Sequence, residues 1–199
     1  LRYDMRGMGK TLLAGPLPVN YSISFESQVS SLKKLLVALS IKRAHFVGLS
    51  YGGGVALGFA VAYPEFVDKL FLMAPFTEAL ENQDKFIRSE IAANRLAFPL
   101  NPASDEELYD YFLRQFIYTT YPSSEPVVLE NPFKLEAIFR MVQGIRFFRA
   151  ETITAKLPAS SVHLMLANQD QYIPREVLDR FWESVPVSRS EERRVGKEC

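Results

Sequence analysis

The sequence predicts an α/β fold: a mostly parallel sheet with helices on both faces, and a helical segment inserted between two of its strands. Three observations predict it. Short apolar runs bounded by glycine or proline alternate with segments of helical period over residues 1–75, and again over 155–188. Between them, residues 76–154 lose the strand pattern and read as helices alone. Hydrophobic residues make up 48% of the 199, enough for one domain's core.

Charge and apolar runs exclude two classes of function. The 23 basic residues are balanced by 23 acidic ones, which argues against a nucleic-acid partner. The longest apolar run, Val55 to Ala62, falls far short of the roughly eighteen residues that a membrane-spanning helix needs.

Leu1 to Tyr3 reads as the end of a strand, followed by the turn Asp4-Met5-Arg6-Gly7-Met8-Gly9. Phe25 to Ser40 is a helix, with Val29, Leu32, Leu35, Leu36 and Leu39 recurring on one face. Ala44 to Val47 is a buried strand that stops at Gly48, and Gly53 to Ala62 is a helix apolar on nearly every side. Leu70 to Met73 is the next strand. Glu78 to Leu96, Asp105 to Tyr118 and Leu135 to Phe148 read as helices rich in Phe and Tyr. An insertion this long inside a compact domain is usually functional, a lid above all. Val162 to Ala167 resumes the strand pattern, and Pro174 to Glu183 is a helix with proline at its first position.

The chemistry centres on Gly48-Leu49-Ser50-Tyr51-Gly52, a G-x-S-x-G run between an apolar strand and an apolar helix. A sharp strand-to-helix turn pushes a serine hydroxyl clear of the sheet. Glycines two residues either side are expected because side chains there would meet neighbouring backbone. The following helix aims its N-terminus at the site, so the Tyr51 backbone N–H could meet an oxyanion. Used only for close helix packing, the same run would carry no chemistry.

On these residues the chain resembles the α/β-hydrolase superfamily, specifically the serine hydrolases with a helical cap. Asp4 to Gly9 is similar to the family's D-x-R-G-x-G turn, and His45 to Gly53 to its fifth strand and nucleophile elbow. Tyr63-Pro64-Glu65 and Leu70 to Pro75 resemble the run into its sixth strand. Leu164 to Asp170 resembles its seventh strand and acid loop. The resemblance implies a core over 1–75 and 155–188, a cap over 76–154, and a Ser–His–Asp triad in the chain order Ser, Asp, His. Ser50 carries over as nucleophile and Asp170 as the acid, with Glu78 the rival acid. Asp4 and Arg6 are expected to brace their turn rather than to react.

A serine needs a general base, and only His45 and His163 exist. His45 lies five residues before Ser50 along a strand, about 16 Å at roughly 3.3 Å per residue. His163 likewise opens its strand. Both are expected to be structural. In the family the histidine follows an eighth strand, and the second oxyanion donor follows a third, so both are expected beyond this chain. Residues 189–199, RSEERRVGKEC, resemble translated sequencing adapter and are set aside. That also removes Cys199, the one cysteine, and with it any thiol chemistry.

No metal or organic cofactor is implied; the partner implied is a small-molecule acyl substrate. Phe98, Tyr109, Tyr111, Phe112, Phe116, Tyr118, Phe139, Phe147 and Phe148 could line an apolar pocket, which would favour a small or medium hydrophobic ester, or could be core. Gly9-Lys10-Thr11 looks like the end of a phosphate-binding loop, but Asp4 stands where that motif needs glycine. A dehalogenase would want aspartate at position 50, and a dinucleotide fold a different glycine spacing. A non-catalytic ligand-binding member of the same fold is the alternative to an enzyme.

Overall fold

The computed structural model describes residues 1–13, 15–78, 81–120, 131, 133–145, 148–157, 161–167, 175–185 and 190–195. They divide into two compact units, Leu1–Ser24 with Leu80–Arg146, and Phe25–Ala79 with Phe147–Cys199.

The second unit holds the sheet. Strands β1 (Ala44–Leu49), β2 (Val67–Met73), β3 (Ser161–Ala167) and β4 (Ser190–Val195) lie in that order, every pair parallel. Register sets Val47, Phe71 and His163 in one row and Gly48, Leu72 and Leu164 in the next. Alternation then gives each row a face. Leu70, Leu72, Val162, Leu164 and Leu166 are buried, whereas β1, expected to be a buried strand, has His45, Val47 and Leu49 exposed, the last two at 70% and 63%. Helix α1 (Phe25–Ala38) turns Phe25, Val29, Leu32 and Leu36 inward and packs on α2 (Tyr51–Ala62). α2 lies on β1 and β2 and buries seven of its twelve residues, which is why its sequence is apolar all round.

Three expectations change here. α1 ends two residues early, at Ala38, with Ser40 beyond it in the left-handed region (φ 56), so Leu39 emerges 48% exposed instead of joining the apolar stripe. Leu1 to Tyr3 is not a strand, because among the described residues no strand lies beside it to complete a ladder. Ser190–Val195 pairs with β3 despite its charged sequence. Ladder bonds use backbone alone, and charge is what an edge strand tolerates best.

The first unit is helical. α3 (Glu81–Ala97), α4 (Asp105–Thr120) and α5 (Phe133–Ile145) share a core of Ile87, Ile91, Leu108, Tyr109, Leu113, Ile117, Ile138 and Phe139. Ser104 and Glu107 cap α4 reciprocally: each backbone N–H reaches the other's side chain, at 2.7 and 3.2 Å. Those bonds from Ser104 hold the Glu107 carboxyl below its ordinary range.

Residues 1–24 group with this unit. Leu17 and Ile23 pack with Ala137 of α5. Arg140 of α5 donates to the carbonyls of Pro18 (2.6 Å), Tyr21 and Leu17 (both 3.3 Å). The last described helix, α6 (Arg175–Ser184), buries Val177, Leu178 and Phe181 in the sheet unit.

Candidate active site

Ser50 is the single residue between β1 and α2, and it turns the chain at φ 48, ψ −119. That conformation is sparsely populated for any residue with a side chain and costs on the order of 1–3 kcal/mol. Hydrogen bonds hold it. Ser50 N–H donates to the Met73 carbonyl at the end of β2 (3.0 Å), and the Ser50 carbonyl accepts from Gly53 (2.9 Å), Gly54 (3.2 Å) and Phe76 (2.8 Å). The side chain is exposed and makes no cap bond to its helix. Tyr51 opens α2, so its amide is among those that helical bonding leaves over.

The glycines divide differently from the expectation. A Cβ on Gly48 would lie 2.5 Å from the Gly52 carbonyl oxygen and 2.7 Å from the Gly53 Cα. A Cβ on Gly52 would meet no described atom within 4 Å. The second close approach is instead at Gly53 and Gly54: a Cβ on Gly53 would lie 2.8 Å from Pro75 Cβ, and one on Gly54 would lie 2.8 Å from both Phe25 Cζ and the Phe76 carbonyl oxygen. The sequence placed Phe25, Gly53 and Pro75 in their segments but did not show this packing, although three consecutive glycines entering a helix are a sign of close approach.

Asp170 lies outside the described residues. Its rival Glu78 is described: its carboxylate accepts from Arg180 of α6 at 2.8 Å, with the side chain 14% exposed. His45 is the second residue of β1 and sits 3.3 Å from Asp68, which also pairs with Arg43 at 3.2 Å. His163 stacks on Phe71 (4.5 Å between ring centres) in the row of Val47. Neither histidine stands at the carboxyl edge of the sheet, where Ser50 is.

Tyr109 and Phe139 are buried in the helical unit's own core, with Phe112 and Phe116 partly buried against it. Phe98, Tyr111 and Tyr118 are exposed, and Phe147 lies outside the described residues. Phe148 is half-buried against Phe25, with 4.3 Å between ring centres. Asp4 braces its turn, accepting from Lys10 N–H at 3.0 Å, and a Cβ on Gly9 would strike its carboxylate. That carboxylate takes the Lys10 amide, which a phosphate-binding loop would keep open for its ligand. Arg6 donates to the Ser22 carbonyl (2.7 Å) and lies over the Tyr21 ring. Among the described residues no three His, Cys, Asp or Glu side chains converge as metal ligands would, and no helix is long and apolar enough to cross a membrane.

Residues 1–186 match the model of the α/β hydrolase fold family. The chain is 53% identical over 132 residues to the 2-hydroxy-6-oxo-6-phenylhexa-2,4-dienoate hydrolase of Comamonas testosteroni, covering 66% of this chain and 44% of that protein. It is 29% identical over 184 residues to the 2-hydroxymuconate semialdehyde hydrolase of Pseudomonas sp. strain CF600, covering 86% and 59%. The chain thus spans about half the length of these relatives. Among solved structures it resembles MGS-M2, an α/β hydrolase enzyme from a Medee basin deep-sea metagenome library, with a TM-score of 0.67 at 19% identity over 98% of this chain and 70% of that one.

Proposed function

Because this chain belongs to the α/β hydrolase fold family, we propose that it is part of a serine hydrolase acting on small or medium, apolar acyl compounds through an acyl-enzyme. The observation that carries this reading is the backbone of Ser50, held at φ 48 between a strand and a helix with its side chain exposed. Strain of this kind persists where it serves a site.

In the proposed reaction Ser50 Oγ adds to the carbonyl carbon while its proton passes to a histidine. Asp170 steadies the imidazolium, and the oxyanion accepts from the Tyr51 N–H. Collapse expels the leaving alkoxide, which takes the proton from the imidazolium. Water then adds to the acyl-enzyme by the same route, releasing the acid and restoring Ser50. The proposed base is a histidine beyond a further strand, since His45 lies near the start of β1 and His163 lies in the row of Val47, three residues short of Ser50.

An ester is the first substrate class proposed. The Comamonas relative favours a second, because it is named for a substrate with a ketone and a carboxylate but no ester. A Ser50 site acting on such a compound would cut a carbon–carbon bond beside the ketone, the acyl group passing to Ser50 and the leaving carbon taking the proton from the imidazolium.

Two measurements test the proposal. The uninterrupted coding sequence is expected to carry a histidine roughly 25 to 35 residues past Asp170. The purified product is expected to hydrolyse a nitrophenyl ester series or a 2-hydroxy-6-oxo-dienoate, and Ser50→Ala to lower kcat by about a thousandfold or more. A missing histidine with no turnover would favour the ligand-binding alternative, and Ser50-independent turnover would overturn the serine mechanism.

A further inference from the structure

Phe25 opens α1, is 4% exposed, and is used by nothing in the proposed reaction. Its ring nevertheless lies against the first turn of the serine helix at two places. It stacks on the Tyr51 ring, with centres 5.1 Å apart and planes 12° from parallel. Its Cζ and Cε1 lie 2.8 and 3.0 Å from where a Cβ on Gly54 would stand, so the ring rests on bare helix backbone. Residues 51 and 54 are one turn apart and face the same way. The same ring meets Phe76 at 6.1 Å and Phe148 at 4.3 Å. Phe76 in turn donates its N–H to the Ser50 carbonyl. One side chain is therefore in contact with the residue after the serine, with the helix turn behind it, and with the residue that ties the serine to the end of β2.

We propose that Phe25 is a positioning residue: its ring sets the direction of the Tyr51 backbone N–H toward the oxyanion. This rests on the hydrolase reading above. The amide itself cannot be mutated away, and its aim depends on how the first turn of α2 is seated. Two flat contacts, a stacked ring and a glycine face, seat it more rigidly than an aliphatic side chain could, since a branched or flexible chain leaves the Tyr51 ring free to slide. An oxyanion donor works on the transition state more than on the bound substrate. Loss of its aim should therefore appear in kcat and leave KM nearly alone.

The test uses the uninterrupted protein and a nitrophenyl ester, with Phe25→Leu set beside Leu36→Ala. Leu36 is 3% exposed on the same buried face of α1, so its truncation removes core volume from the same helix. Phe25→Leu is expected to lower kcat about tenfold with KM within twofold, and Leu36→Ala to lower the thermal midpoint at least as much while keeping kcat within twofold. Phe25→Tyr is the second probe: its added hydroxyl would press into the Gly54 backbone and is expected to lower kcat in a protein that still folds. The positioning role is overturned if kcat of Phe25→Leu stays within twofold of wild type, or if Leu36→Ala loses as much. Absence of Ser50-dependent turnover in the wild type would instead overturn the hydrolase reading beneath it.

Discussion

The Phe76 backbone N–H donates to the carbonyl of Ser50 at 2.8 Å, three residues past the Met73 carbonyl that accepts from the Ser50 N–H at 3.0 Å. Both polar groups of the bent residue are thus bound by the chain at and beyond the end of β2, and the carbonyl also accepts from Gly53 and Gly54 of the helix it opens. At about 0.5–1.5 kcal/mol net for each bond, these two together match a backbone strain of roughly 1–3 kcal/mol. The turn is fixed by its neighbours, and the serine side chain contributes nothing to holding it.

It follows that Ser50→Gly should be more stable than Ser50→Ala by about 1 kcal/mol. Alanine keeps the Cβ and hence the strain, whereas glycine adopts φ 48 freely and gives back only part of the gain through a looser unfolded chain. No cap bond is lost in either, since the Ser50 side chain makes none. Urea midpoints at equal slope measure the difference, and an alanine variant as stable as the glycine one would show that the turn carries no strain.

The two glycines flanking the serine should respond oppositely to alanine. At Gly48 the new methyl meets a carbonyl oxygen at 2.5 Å and Gly53 backbone at 2.7 Å, neither of which can swing aside. A loss of about 2–3 kcal/mol is expected, as for other overpacked sites. At Gly52 the methyl meets no described atom within 4 Å, and helix propensity favours alanine over glycine by up to about 1 kcal/mol. Denaturant unfolding of the pair decides it: equal losses at both positions would contradict the packing described.

The strand, elbow and buried helix were legible because each is a local pattern: Ala44–Leu49 is short and apolar, Tyr51–Ala62 is apolar on every side, and glycines bracket the serine. What could not be read depended on partners distant in sequence. Leu1 to Tyr3 has strand composition but no described neighbour to pair with. The need for glycine at 53 and 54 comes from Pro75 and Phe25, some twenty to thirty residues away in either direction. Residues 1–24 join the helical unit because Arg140, far along the chain, binds three of their carbonyls. The aromatics of 76–154 gave no way to separate core from site. Tyr109 and Phe139 differ from Tyr111 and Tyr118 only in which side of their helices they occupy.

Stability should fall in acid partly through Glu136. It accepts from Arg114 at 2.5 Å and from Arg140 at 3.0 Å. Burial alone would raise its carboxyl, but the two guanidinium groups outweigh burial and hold it below the ordinary glutamate value of 4.5. A lowered pKa in the folded state means the stabilisation is complete above 4.5 and drains away as pH drops through the lower folded value. Glu136→Gln keeps the shape and removes the charge. It is expected to cost about 1–2 kcal/mol at neutral pH and progressively less below pH 4.5. Thermal midpoints of both proteins across that range report the gap; a gap independent of pH would remove Glu136 from the acid response.

Asp170 and Glu78 compete for the acid's role, and their expected consequences separate them. Glu78 is already engaged: its carboxylate takes the Arg180 guanidinium at 2.8 Å, and its backbone bridges to Arg149. A carboxylate committed to an arginine has that much less acceptor strength for an imidazole. Glu78→Gln in a protein that carries the proposed histidine is therefore expected to weaken the tie to α6 by about 1 kcal/mol while kcat stays within a few-fold. In the proposed triad Asp170→Asn would remove the charge that steadies the imidazolium and selects its tautomer, and kcat is expected to fall by about ten-thousandfold. The two kcat values, measured with thermal midpoints on the same preparations, give the assignment. A large kcat loss at Glu78 with a small one at Asp170 would move the acid to the end of β2 and assign Arg180 to holding a catalytic carboxylate in place.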